Sequence, residues 1–170
     1  MRLKTKRLGA VLGLSVTALL GSAAAASAVP PVTIPPGQFV VDEAGVLGPE
    51  TEEVRSAITE TRQDSGYTLF VVYVDDFTNP SDPEEWGDRV VEQRNMGARE
   101  VLLSVATEDR RLQVSSSEDS ALTDAQGQAM LDAATDELFG KETISSEDWA
   151  AAAVSALTSR TGFTCEDPLP

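Results

Sequence analysis

Two nearly continuous apolar runs mark the centre of the chain. Tyr67–Val74 and Val101–Ala106 are β-branched, aromatic or aliphatic at almost every position, which is typical of strands buried on both faces. A shorter strand-like run begins the segment Gln38–Leu47, and another covers Arg111–Ser115. The tight turn at Thr107–Arg110 would make the last strand antiparallel to its predecessor. The pattern predicts a small mixed sheet.

Between and after these runs, apolar residues recur every three or four positions, which predicts amphipathic helices. Their starting points carry helix-initiation signals. Pro49 and Pro83 suit the first turn of a helix, Thr123–Gln126 has the pattern of a capping box, and the last helix begins near Ser145 or Ser146. The order of elements predicts an α/β fold, specifically a three-layer α/β/α sandwich, in which a helix joins the first two long strands in a right-handed βαβ unit.

The first 28 residues have the pattern of a secretory signal peptide. Four basic residues precede the apolar run Leu8–Ala26, which ends at the small-residue site Ala26-Ser27-Ala28. Cleavage near Ala28 would release the protein outside the cytoplasm or into the cell envelope. The alternative is a retained membrane anchor, because the run is just long enough to span a bilayer. The four basic residues are Arg2, Lys4, Lys6 and Arg7.

The rest of the chain divides into a linker, one domain and a tail. Residues 29–37 are rich in proline and predict an extended linker. Residues 38–162 have enough length for a single domain with its own core. Residues 163–170 predict an unstructured tail. The only cysteine, Cys165, lies in this tail, so the chain has neither an internal disulfide nor a lipid anchor at the cleavage site.

The charge of the chain excludes several classes of partner. All 28 acidic residues lie after residue 28, where only nine basic residues accompany them. Such a surface repels phosphate backbones and anionic lipid headgroups, so we expect no binding to nucleic acid or directly to anionic lipid. The chain contains no histidine, which excludes Ser-His-Asp and Cys-His nucleophile pairs. A metal would therefore have oxygen ligands, as Ca²⁺ or Mg²⁺ does.

Acidic turns follow three of the predicted strands. Asp42 lies in the first of these turns, Asp75 and Asp76 in the second, and Glu108 and Asp109 in the third. Open α/β sheets place their sites outside the carboxyl ends of the strands. We therefore identify Asp42, Asp76 and Asp109 as candidate metal ligands, with Asp75 and Glu108 as secondary candidates. The alternative is that each acid serves only its own turn or helix.

Five segments together resemble the TPM domain family, in order and in spacing over roughly residues 38–160. They are Val41–Leu47, Gly66–Val74, Met96-Gly97, Val101–Ala106 leading to Asp109-Arg110-Arg111, and Leu122-Thr123-Asp124. The resemblance implies an exported, membrane-associated α/β/α sandwich. Some members of the family are acid phosphatases, some bind Ca²⁺ at a carboxylate crevice, and others are accessory proteins of membrane complexes. Asp42 and the pair Asp109-Arg110 match positions of the family pattern.

The chain also departs from the family pattern. Where members generally carry Asp-Asn-Gly before the second long strand, this chain has Ala98-Arg99-Glu100, and Ser115–Ser120 replaces a glycine-rich segment. We expect the first change to remove an acidic ligand from one wall of the crevice and to bring the charge of Arg99 near it. The sequence therefore favours a monomeric, non-catalytic module that binds a protein partner of the cell envelope, with Ca²⁺ (or Mg²⁺) as a candidate cofactor. The alternative is a metal-dependent acid phosphatase acting on phosphomonoesters, in which Arg110 would bind the phosphate.

Overall fold

The computed structural model describes residues 31–159 of the chain. These residues contain four β-strands and four α-helices. The expected signal peptide and the expected tail lie outside these residues. The strands are β1 (Val40–Asp42), β2 (Thr68–Val74), β3 (Glu100–Ala106) and β4 (Arg111–Ser116). The helices are α1 (Thr51–Ser65), which a short 3₁₀ turn precedes, α2 (Pro83–Arg94), α3 (Asp124–Leu138) and α4 (Ser146–Thr158).

The strands form one mixed sheet in the order β1-β2-β3-β4. β1 pairs with β2 and β2 with β3 in parallel, whereas β3 and β4 are antiparallel. Val40 of β1 is paired with Val71 of β2, and Thr68 of β2 is paired with Glu100 of β3. The mixed sheet predicted from the apolar runs is confirmed.

The two faces of the sheet support two separate hydrophobic cores. All seven residues of β2 are buried, and alternate side chains of a strand point to opposite faces. Leu69, Val71 and Tyr73 pack in one core with residues of α1, α3 and α4. Phe70 and Val72 pack in the other core with residues of α2. Helices therefore cover both faces, which confirms the α/β/α sandwich.

The starts of α2 and α3 carry the capping interactions that helix-initiation signals predict. The side chain of Asp82 accepts a hydrogen bond from the backbone N–H of Glu85, with Pro83 in the first turn of α2. Thr123 and Gln126 form a reciprocal capping box at the start of α3, which satisfies two backbone donors that the helix itself leaves unpaired. No helix within residues 31–159 has the length and apolar content needed to cross a membrane.

The proline-rich stretch before β1 packs on the domain over its described residues, 31–37. The side chain of Ile34 is 4% exposed and belongs to the core under α2, and Gln93 of α2 donates a hydrogen bond from Nε2 to Oγ1 of Thr33. This differs from the extended linker that the composition suggests, because an apolar side chain between the prolines gains free energy by leaving water. These residues extend the domain towards its amino terminus.

The hydroxyl of Tyr73 joins the centre of the sheet to α4. It donates a hydrogen bond to the carbonyl oxygen of Trp149 at 2.8 Å, and the two rings meet edge to face with centroids 6.3 Å apart. Burial, and secondarily the negative charge of Asp42, raises the pKa of the Tyr73 phenol well above its ordinary value. The phenol is therefore protonated near neutral pH and acts as a donor.

Replacement of Tyr73 by Phe should lower the free energy of unfolding by about 1–2 kcal/mol, because it removes a buried hydrogen bond and keeps the ring. Denaturant unfolding followed by far-UV circular dichroism measures this change. Tyr67→Phe is the matched control, since it removes the same group from a half-buried tyrosine and should cost less. Equal stability of Tyr73→Phe and the natural chain would contradict this role for the hydroxyl.

The start of α4 gives a pH-dependent contribution to stability. Asp148 accepts hydrogen bonds from Nζ of Lys141 at 2.6 Å and from the backbone N–H and hydroxyl of Ser145, both at 2.8 Å. These bonds, the one from Lys141 first, lower the pKa of Asp148 from 3.8 to about 2. Because the pKa is lower in the folded state, the charged carboxylate stabilises the fold above the ordinary pKa and loses this effect as the pH falls.

Asp148→Asn should therefore lower the melting temperature most near neutral pH. The difference from the natural chain should shrink as the pH falls from 3.8 to about 2, the interval between the unfolded and folded pKa values. Thermal melts at several pH values across this interval measure the effect. A difference that stays constant with pH would show that the carboxylate charge is not responsible.

Candidate functional site

A cleft of about 570 Å³ opens at the carboxyl edge of β1 and β2. Glu43, which follows β1, and Asp75 and Asp76, which follow β2, give it an acidic lining. Residues 31–33 of the amino-terminal segment also line the cleft, together with the buried Trp86 of α2. The cleft therefore lies where the topology of an open α/β sheet places a site.

Two of the acidic turns meet at this edge. The backbone N–H of Glu108 donates to the carbonyl oxygen of Asp75 at 2.9 Å, and the N–H of Thr107 donates to the carbonyl oxygen of Val74 at 2.9 Å. These bonds continue the pairing of β2 and β3 past the ends of the strands. Two of the three acidic turns, Asp75-Asp76 and Glu108-Asp109, are therefore adjacent in the structure.

The side chain of Arg111 lies between the acids of these two turns. Its Nη2 atom is 3.0 Å from Oδ1 of Asp76 and 3.2 Å from Oδ2 of Asp109. Nη1 donates to the carbonyl oxygen of Ser81 at 2.9 Å, and the guanidinium lies 5.3 Å from the centroid of the Phe77 ring. One internal cation therefore serves both carboxylates and also packs on an aromatic face.

Asp42 has a local role in the turn after β1. Its Oδ1 accepts a hydrogen bond from the N–H of Val46 at 3.1 Å, and its Oδ2 accepts one from the N–H of Leu47 at 2.9 Å. Both carboxylate oxygens thus hold the turn that places the buried Leu47 in the core. The adjacent residue, Glu43, lines the cleft instead.

Arg110 is also engaged away from the cleft. Its backbone has a positive φ of 53°, and its Nη1 and Nη2 atoms donate to the carbonyl oxygens of Lys141 and Glu142 at 2.6 and 2.7 Å. The side chain therefore ties the β3–β4 turn to the loop between α3 and α4. Arg110 is not among the residues that line the cleft.

The expectation that Arg99 lies near the acidic edge is wrong. Residues 98–100 lead into the amino end of β3, and Thr68, at the amino end of the parallel strand β2, donates from its N–H to the carbonyl oxygen of Arg99. The acidic turns follow the other end of the same strands. A seven-residue strand spans about 20 Å, so the substituted Ala98-Arg99-Glu100 segment lies at the opposite edge of the sheet.

Among residues 31–159, the structure shows no ready-made cluster of carboxylates for a hard cation. Ca²⁺ takes six to eight oxygen ligands, but residues 31–159 contain no group of three or more Asp, Glu or Cys side chains that could hold a metal ion. Asp76 and Asp109 already share the guanidinium of Arg111, and Asp42 is hydrogen-bonded to its own turn. A cation held by both Asp76 and Asp109 would compete with Arg111. Calcium binding stays a prediction.

Residues 40–160 match the family model of the TPM domain, which is more than two thirds of the chain. The chain belongs to the TPM domain family. The resemblance seen in the sequence is thus confirmed. No curated protein matches the sequence.

Two solved structures are similar to this TPM domain. The solution NMR structure of the N-terminal domain of the cg2496 protein from Corynebacterium glutamicum has a TM-score of 0.61 and 23% identity, and the match covers 77% of this chain and 84% of that one. The N-terminal domain of a protein from P. gingivalis, also solved by NMR, has a TM-score of 0.55 and 17% identity, covering 70% and 76%. At these identities the likeness establishes a shared fold.

Sequence reasoning missed Arg111 as a residue of the TPM domain's acidic edge. The pattern that could have identified Arg111 is the alternation of side chains between the two faces of β4. Gln113 and Ser115 approach Gly87 of α2, and Arg111, two residues earlier in the strand, must share their face. This face meets α2 and the Phe77 turn at the edge where Asp76 lies.

Arg111→Gln should leave Asp76 and Asp109 without their common cation. Because the three side chains are each partly exposed, we expect a loss of only about 1 kcal/mol in the free energy of unfolding. The same variant should gain a Ca²⁺-dependent rise in melting temperature that exceeds the response of the natural chain, because a ligand bound only by the folded state stabilises it. Arg111→Lys, which keeps the charge, is the control. An equal Ca²⁺ response in all three proteins would contradict the assignment.

Proposed function

We propose that this TPM domain is an exported, non-catalytic module that binds a protein partner of the cell envelope. The observation that carries the proposal is the position of Arg111, whose Nη2 atom lies within 3.2 Å of carboxylate oxygens of Asp76 and Asp109. Metal-assisted hydrolysis needs carboxylates that are free to bind a metal ion and to activate water. Here two of the candidate ligands form ion pairs with a single cation of the chain itself.

The composition of the chain supports a role without catalysis. It contains no histidine, the side chain that most often serves as a general base. The Arg110 guanidinium, which would bind the phosphate of a substrate, is occupied by two backbone carbonyls. The surface is strongly acidic and repels an anionic substrate unless a metal masks the charge.

The amino-terminal pattern supports action outside the cytoplasm. The basic residues, the apolar run and the site at Ala26-Ser27-Ala28 favour export with cleavage near Ala28. The protein would then act as a monomer in the cell envelope or the extracellular space. The excess of acidic residues suits a basic surface on its partner and disfavours nucleic acid and anionic lipid.

A metal-dependent phosphomonoesterase is the second candidate function. Its support is the place of the cleft, since Glu43, Asp75 and Asp76 line it at the carboxyl edge of parallel strands. In this case Ca²⁺ or Mg²⁺ would be the cofactor, and Asp42, Asp76 and Asp109 its candidate ligands. Such a site would require Arg111 to leave the two carboxylates that it now contacts.

Hydrolysis of p-nitrophenyl phosphate by residues 29–170 separates the two candidates. With and without millimolar Ca²⁺, Mg²⁺ or Mn²⁺, we expect no turnover above that of Asp109→Asn, because Arg111 occupies oxygens of Asp76 and Asp109 that a catalytic metal ion would need. Release of p-nitrophenol, followed by its absorbance, is the measurement. Metal-dependent turnover in the natural chain that disappears in both Asp76→Asn and Asp109→Asn would overturn the proposal in favour of the esterase.

A further inference from the structure

The open side of β4 lies in a groove between two helices. Within residues 31–159, β4 pairs with β3 on one side and with no other strand. A groove of about 330 Å³ is lined by Gln113, Val114 and Ser116 of β4, by Glu84 of α2, and by several residues at and just before the start of α3, namely Leu122, Thr123, Asp124, Gly127, Gln128 and Leu131. Backbone groups on the open side of an edge strand can pair with another strand.

The groove continues past the end of β4. A second cavity, of about 490 Å³, is lined by Ser116 and Ser117 on one side and by the second half of α2 on the other. Ser116 lines both cavities, so they adjoin along the strand. From Gln113 to Ser117, four steps of about 3.3 Å each, this path is about 13 Å long, which matches five residues of extended chain. The hydroxyl of Ser117 is buried and has no hydrogen-bond partner among the described residues.

Two glycines within helices shape the space around β4. At Gly87 a Cβ atom would clash with the hydroxyl of Ser115, so α2 packs directly on the strand. At Gly127 of α3 a Cβ atom would lie 3.7 Å from the side chain of Leu122 and 3.8 Å from that of Val114, at ordinary contact distance. Gly127 lines the groove, where its missing side chain leaves part of the space open.

The charged residues that line the two cavities are all acidic. Glu84, Asp88 and Glu92 recur every four residues along α2, so they share one face of the helix. All three are exposed and line one or other cavity, and Glu118 and Asp119 line the far end. None of these five acids forms an ion pair with Lys or Arg within residues 31–159.

One of these acids has a shifted pKa. Burial, and then the charges of Glu84, Glu92 and Asp82, raise the pKa of Asp88. A raised pKa means that the charged form of this carboxylate is disfavoured in the folded protein. A cationic neighbour would relieve that repulsion.

We infer that the open edge of β4 binds an extended, basic segment of the partner protein as an added strand. The inference rests on the proposed function and identifies the docking surface and the chemistry of the partner. Backbone hydrogen bonds to β4 would supply affinity, as in other cases of strand addition, and Lys or Arg side chains would meet the acids of α2. A second copy of this chain is the less suitable occupant, because it would bring the same acids against one another.

Binding of a defined peptide to residues 29–170 tests the inference. The probe is an acetylated ten-residue peptide that alternates lysine and valine. Isothermal titration calorimetry measures its affinity, and hydrogen exchange measures the protection of the β4 amides. The matched peptide carries N-methyl groups at alternate backbone nitrogens, so it keeps the charge and loses the strand's donors. We expect the N-methylated peptide to bind at least tenfold more weakly and to give no protection of β4.

Two variants of the protein test the two parts of the surface. Gly127→Leu should fill the groove and weaken binding at least tenfold, whereas Gly127→Ala should bind normally because a Cβ atom fits. The double change Glu84→Gln with Asp88→Asn should weaken binding about fivefold, as expected for two exposed charge pairs. Glu53→Gln with Glu60→Gln removes two charges from α1, in the other helical layer, and should leave binding unchanged.

Several outcomes would overturn the inference. Equal affinity for the unmodified and the N-methylated peptide would indicate charge attraction alone. Protection of the β4 amides by self-association in the absence of peptide would also contradict the inference. So would the absence of any peptide binding. The N-methylated peptide needs no protein variant, so the test does not depend on whether Gly127→Leu folds. Metal-dependent hydrolysis would overturn the proposed function and leave peptide binding at β4 intact, whereas an inactive domain that ignores the peptide would overturn this inference alone.

Discussion

The burial of β2 on both faces is the constraint from which the rest of the domain follows. All seven of its residues are buried, so each face of the sheet must be covered by helices. The side chains of Leu69, Val71 and Tyr73 require one apolar layer, and those of Phe70, Val72 and Val74 require another. β2 also pairs in parallel with a strand on each side, and this arrangement sends three consecutive chain segments out at the same edge.

At that shared edge, carboxylates lie close together, and an arginine of the same chain reduces their repulsion. The segments after β2 and β3 are acidic, and two carboxylates held close together repel each other. β3 and β4 form a hairpin in which Ala106 is paired with Arg111, so the first residue of β4 necessarily lies beside the turn that carries Asp109. A guanidinium can serve two carboxylates at once. The hairpin thereby places Arg111 where the sequence analysis expected a metal ion.

Much of the fold could be predicted from the sequence because its signals are local or periodic. The apolar run around Phe70 gives a buried strand, and Thr123 with Gln126 gives a capping box. The candidate site was less predictable, since it depends on which partner each side chain finds. Asp42 has the expected position at the end of β1, yet its side-chain oxygens accept hydrogen bonds from backbone amides of the following turn. The place of Arg99 was predictable, because in a parallel βαβ unit the residues that precede a strand lie at the opposite edge from the turns that follow it.

The two edges of the sheet differ in a way that bears on partner binding. β1 is three residues long and β4 is six, so only β4 offers an extended row of backbone groups. Proteins protect such edges from self-association by placing charge beside them. Here that charge has a single sign, because Glu84, Asp88 and Glu92 follow the groove without basic partners among the described residues. The same charge that keeps two copies of the chain apart favours a strand of opposite charge, so protection and selectivity have one physical origin.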